Sequence, residues 1–90
     1  MVRIELPSLL HHAADGEGSP CVEARTLRGA LDALMGRHPK LRVHLFDERG
    51  GFRQHVLCFH NRTNTRWLES LDVPVADGDT ITVLQAVSGG

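Results

Sequence analysis

The 90 residues carry a net charge of −1, with 41% apolar and 23% charged side chains. That size supports one domain with one core, and that composition fits a globular chain rather than a disordered one. The near-neutral, interspersed charge gives no global basic field for nucleic acid, and no apolar run approaches the roughly 20 residues of a membrane-spanning helix.

Val2, Ile4 and Leu6 alternate with Arg3 and Glu5, which predicts a half-buried strand where a secretory leader would otherwise stand. Ser8 to Pro20, with His11-His12 and Asp15-Gly16-Glu17-Gly18, reads as turn or loop. Cys21 to Ala24 reads as a short returning strand that forms a hairpin with the first. Two cysteines make no disulfide framework. Both Cys21 and Cys58 are expected as free thiols in a reducing cytoplasm, each packed as a small buried hydrophobe.

Leu27, Ala30, Leu31, Leu34 and Met35 share one face of a 3.6-residue period and predict the main helix. Thr26 is its expected N-cap, while Gly36 and Pro39 mark its end. Leu41, Val43 and Leu45 alternate again and read as a strand over 41–46. The Asp47-Glu48-Arg49-Gly50-Gly51 stretch is a turn signal, with a longer strand after it from Phe52 to about His60. Within it Val56, Cys58 and His60 share one side, and His55, Leu57 and Phe59 the other. Asn61 to Thr65 reads as polar loop. Arg66 to Leu71 suggests a short helical turn packed through Trp67 and Leu71. Asp77-Gly78-Asp79 is a tight turn opening the last strand, from which Ile81 and Val83 face the core.

Strands before and after one helix describe an α+β domain. The expected architecture is a β-grasp: a mixed sheet of four to five strands, one main helix on one face, and the first and last strands parallel at the centre. The domain spans 1–90, with a flexible tail over 87–90.

Other chemistry is poorly supported by these residues. His55, Cys58 and His60 resemble a metal-ligand string, but strand alternation points His55 away from the other two, so no metal site is expected. His11-His12 has no evident partner ligands. Cys58 beside Val56 lacks the polarising surroundings of a reactive thiol. Gly50-Gly51 lacks the strand–loop–helix context of a phosphate loop and reads as a hairpin turn.

Several segments resemble the ThiS/MoaD family of ubiquitin-like sulfur carriers. They are the Thr26-Leu27-Arg28 helix start, the Pro39 helix exit, the mid-chain strand ending at Asn61, Arg66 and the Val73-to-Asp79 segment. The most specific is Ile81-Thr82-Val83-Leu84 running into Ala86-Val87-Ser88-Gly89-Gly90. The ending is most similar to carriers of cysteine biosynthesis. Gln85 departs from it, standing where many such carriers have proline and resembling some thiamine-type carriers, and His60 stands where an apolar residue is common.

The resemblance implies a protein cosubstrate rather than an enzyme. The Gly90 carboxylate would be adenylated by a ubiquitin-activating-type enzyme using ATP, with no cofactor bound by the chain itself. A sulfur donor protein or sulfide would convert the adenylate to a thiocarboxylate for a sulfur-accepting biosynthetic enzyme of the cysteine, thiamine, molybdopterin or another pathway. Gly89, Ser88 and Val87 would thread the partner's active site, where a Cβ at either glycine would obstruct the channel. Phe52, Phe59 and Leu84 are candidates for partner docking, the alternative being that they pack under the 61–76 loop. Lys40 is the single lysine, so the chain offers almost no amine to attack its own activated tail. Two other readings stay open: a ubiquitin-like modifier forming isopeptide bonds through Gly90, and a passive interaction module.

Overall fold

Val2–Glu5 forms β1, with Val2 and Ile4 buried beneath it and Arg3 exposed on the other side. The computed structural model describes residues 1–85; the expected tail over 87–90 lies outside them. Cys21–Val22 forms β2, Val56–His60 β3, Thr63–Asn64 β4 and Thr80–Gln85 β5. They make one five-stranded sheet in the order β2-β1-β5-β3-β4. β1 and β5 run parallel at its centre, with Ile4 opposite Ile81, and the other pairs are antiparallel. This is the ubiquitin-like β-grasp arrangement expected from the sequence.

Helix α1, Leu27–Arg37, lies over one sheet face. Its five periodic apolar residues are all buried, in one cluster with Ile4, Val56, Cys58, Ile81 and Val83. The Thr26 hydroxyl accepts a hydrogen bond from the Gly29 N–H at 3.0 Å, satisfying a donor that the helix leaves unpaired. Thr26→Ala is therefore expected to lower stability by about 1 kcal/mol, read as a lower urea midpoint, while Thr26→Ser retains most of it.

Several expectations are corrected. Residues 41–46 are not a strand: Pro39–Leu41 forms a 3-10 turn that runs into α2, Arg42–Leu45. Leu41 and Leu45 are buried and Val43 is 66% exposed. The outer two residues fit a four-residue helical step as well as they fit alternation, and Pro39 supplies a favourable helix start.

The 8–20 segment is not simply loop, since Ser8–Ala14 is a 3-10 helix burying Leu10, Ala13 and Ala14. The long strand expected from Phe52 begins only at Val56. Before it, the Arg53 N–H and guanidinium bond to the Leu45 and Val43 carbonyls, tying the chain back to α2 rather than to β5.

Trp67 is not a packing residue. It closes a 3-10 turn, Thr65–Trp67, and is 79% exposed, whereas Leu68 and Leu71 lie against the core. A three-residue turn is too short to carry the helical spacing that would align Trp67 with Leu71. Cys58 is buried as expected, but Cys21 is exposed. It sits opposite Arg3 on the edge strand, on the face away from α1, so its neighbour Val22 takes the core position.

Candidate functional site

β5 is the last described element of the chain, and its neighbours define the surface around it. Gln85 pairs with Val56, Leu84 with Leu57 and Thr82 with Phe59. Directly opposed residues share a sheet face. Val56 and Cys58 are buried under α1, so Leu57, Phe59, Thr82 and Leu84 form the opposite face. Leu84 is 44% exposed, and Leu57 and Phe59 are half-buried.

Phe59 and Leu84 are thus brought to one surface and Phe52 is not. Phe52 stacks on Phe46, with ring centroids 4.8 Å apart, and lines a cavity shared with residues from the 64–71 segment. Phe52 therefore faces the 64–71 segment across that cavity. Leu57 belongs with Phe59 and Leu84, and the alternation that placed it beside Phe59 was the signal for including it. Gly90, Gly89, Ser88 and Val87 lie outside the described residues.

At the far end of β5 a polar lock fixes where the strand begins. Gly78 adopts φ +89°, a left-handed conformation that favours glycine. The Asp79 carboxylate accepts the Ala76 N–H at 2.9 Å and contacts His60 Nε2 at 2.8 Å. Asn61 adds two bonds, its N–H to the Thr80 carbonyl and its Oδ1 accepting the Thr80 N–H. His60 and Asn61 therefore hold the start of β5 in place.

The Ala76 N–H first, then His60 and Asn61, hold the Asp79 carboxyl down at about 2. A depressed folded-state pKa contributes stability that is present above the ordinary carboxylate range near 4 and is lost as pH falls toward about 2. Wild type should accordingly lose its stability advantage over Asp79→Asn between about pH 4 and pH 2, read from urea midpoints across that range.

The remaining chemistry-bearing residues do not converge. Burial pushes the Cys58 thiol up to about 11, partly offset by a hydrogen bond from Thr65, so it is a protonated thiol at neutral pH. His55 is exposed ahead of β3 and His60 is engaged by Asp79. Among the described residues no group of three His, Cys, Asp or Glu side chains is placed to hold a metal ion. Gly50-Gly51 forms a tight turn, with Asp47 Oδ1 accepting the Arg49 and Gly51 N–H groups. No helix among the described residues is long and apolar enough to cross a membrane.

Comparison with known proteins gives this β-grasp a context. The sulfur carrier protein CysO of Mycobacterium tuberculosis is 28% identical over 91 residues, covering 99% of this chain and 98% of that one. A chain of the crystal structure of the Amycolatopsis orientalis BexX/CysO complex is similar over the full length of both chains, at TM-score 0.86 and 29% identity. SAMP1 from Haloferax volcanii superposes at TM-score 0.81 and 29% identity, covering 99% of this chain and 98% of that one. The family model described as ThiS family matches residues 14–90, which takes in most of the domain and runs through β5 to Gly90, and on that match the chain belongs to the ThiS family.

Proposed function

We propose that this protein is a sulfur carrier that serves other enzymes as a cosubstrate. The observation carrying this reading is the end-to-end similarity to CysO, together with a family match that runs through Gly90. In the proposed cycle an adenylating enzyme joins the Gly90 carboxylate to AMP, taking ATP and releasing pyrophosphate. A sulfur donor then displaces AMP to leave a thiocarboxylate. That sulfur attacks an activated acceptor on a second enzyme, with the cysteine pathway favoured by the CysO likeness.

The carrier contributes position rather than reactive side chains. Holding one acyl group in a partner's active site converts an encounter into a local reaction, and the partner stabilises the charge that develops. Gly89, Ser88 and Val87 are assigned to the partner's channel, and Phe59 and Leu84, joined by Leu57, to its docking surface. ATP-dependent pyrophosphate exchange by the cognate adenylating enzyme tests the first step. Exchange should require the carrier and saturate with it, and exchange that ignores the carrier contradicts the proposal.

A second reading has its own support, because H. volcanii SAMP1, one of the similar solved structures, is a small archaeal modifier protein. The same adenylate could pass its acyl group to a lysine of another protein. Denaturing blots of cells expressing the tagged chain distinguish the two: Gly90-dependent ladders indicate a modifier, and their absence alongside sulfur loading indicates a carrier.

A further inference from the structure

Among the described residues, the two ring nitrogens of His38 are the only buried side-chain polar atoms without a hydrogen-bond partner. The side chain is 3% exposed. Local sequence puts it there. The Leu34 carbonyl accepts the His38 N–H at 2.8 Å and closes α1, while Pro39 disfavours helical backbone in the residue before it. His38 therefore leaves the helix, at φ −131° and ψ 76°, and turns inward. A polar group buried without a partner is costly and calls for a second state or a function.

The loop over 15–18 roofs this imidazole. Asp15 takes φ +53° and Gly16 φ +85°, and the Gly16 and Glu17 N–H groups donate to the His11 and Ala14 carbonyls at 2.7 and 2.9 Å. That reversal sets one carboxylate beside each ring nitrogen. Asp15 Oδ2 lies 3.4 Å from Nδ1, and Glu17 Oε1 lies 3.3 Å from Nε2. Arg37, the last residue of α1, donates to Glu17 Oε2 at 3.1 Å and to the Cys21 carbonyl at 3.2 Å. The other titratable groups on the elements packed nearby are His11, His12, Cys21, Lys40, Arg42 and His44, and none of them forms an ion pair with His38.

We propose that the 15–18 loop is a pH-sensitive latch that closes over His38 when the imidazole takes up a proton. Ionised carboxylates only accept hydrogen bonds, whereas a neutral imidazole has one N–H and one bare nitrogen. Neutral His38 therefore always sets its bare nitrogen against a carboxylate, acceptor against acceptor, where water is excluded. A proton removes that conflict. Both nitrogens become donors, one toward each carboxylate, and the charges of Asp15 and Glu17 are balanced by those of His38 and Arg37. The added proton belongs to the closed loop, so closing is favoured as pH falls through the histidine range and is lost as pH rises through it. With the loop lifted, water reaches the bare nitrogen. Because Arg37 joins Glu17 to the Cys21 carbonyl, lifting the loop also loosens the hold on edge strand β2. The inference is independent of the Gly90 chemistry.

The test follows the full chain by NMR from about pH 8 to about pH 5.5, recording the His38 ring and the Gly16 and Gly18 amides together. The ring and both amides should move with one midpoint. Asp15→Asn/Glu17→Gln removes both charges from the roof, and asparagine tolerates the left-handed backbone at position 15. In that variant the His38 midpoint should move to lower pH, and the glycine shifts should be lost. His38→Gln should abolish the glycine shifts as well; a urea midpoint shows whether it folds, and if it does not, the carboxylate variant decides alone. His12→Gln, whose native ring meets His44, should leave the titration as in wild type. Several results overturn the proposal: a His38 ring that does not titrate in this range, glycine amides that stay fixed while it does, or glycine shifts undiminished in the carboxylate variant. Amides that follow the ring of His11, which lies against Gly18, or an unmoved His38 midpoint in the carboxylate variant also overturn it.

Discussion

Deleting Gly90, or replacing it with alanine, is expected to cut sulfur loading by about a hundredfold or more while leaving the folded domain intact. A carrier of this kind delivers one acyl carbon to a partner's reaction centre, and displacing a reacting group by about 1 Å can cost about a hundredfold. Deletion shifts the carboxylate by a whole residue; alanine adds a Cβ that would obstruct the narrow channel proposed for the partner. Neither change touches the core, whose last buried residue on β5 is Val83. The expected pattern is therefore an unchanged urea midpoint with lost loading. A comparable midpoint with undiminished loading by the deletion variant contradicts the assignment of Gly90.

Ile81→Ala is expected to have the largest effect on stability. Ile81 is fully buried at the centre of β5, opposite Ile4 on the parallel strand β1 and His60 on β3. Truncating such a residue removes apolar burial and leaves a cavity that the two flanking strands cannot close, costing about 2–5 kcal/mol. For a 90-residue domain that is a large share of a total near 5–14 kcal/mol. Ile81→Val should cost only about 0.5–1.5 kcal/mol. Equilibrium urea unfolding checks both, and a loss below about 1 kcal/mol for the alanine variant contradicts the packing described for this strand. The link to function is direct: β5 carries the chain from the Asp79 lock to Gln85, so loosening it removes the base from which the chain runs on to Gly90.

The central architecture was legible because its signals were redundant. α1 combines five apolar residues on one face with a capping Thr26, and β1 and β5 each bury alternate residues. The Asp77-Gly78-Asp79 turn needed the left-handed conformation that glycine supplies. Where one signal stood alone, the reading failed. Leu41 and Leu45 fit a strand or a helical step, and only the exposure of Val43 decides between them. Leu10, Ala13 and Ala14 had helical spacing, but the polar His11-His12 pair between them masked it.

Trp67 shows a different limit. Hydrophobicity marked it for burial, yet the 3-10 turn gives the core to Leu68 and Leu71 instead. The face proposed for docking was half legible, since alternation places Leu57, Phe59 and Leu84 together but cannot show that Phe52 turns back onto Phe46. The cavity between the Phe46–Phe52 stack and the 64–71 segment was not legible at all. It brings together Arg28, residues 46–52, β3 and the 64–71 segment, and no local pattern encodes that juxtaposition.

The sulfur-carrier account is tested most directly by intact-mass analysis after incubation with the cognate adenylating enzyme, ATP and a sulfur donor. The account predicts one sulfur-for-oxygen exchange, localised by fragmentation to Gly90 and absent without ATP. An unchanged mass in the presence of an adenylating enzyme shown to be active on another carrier, or a sulfur placed on Cys21 or Cys58 instead, would contradict it.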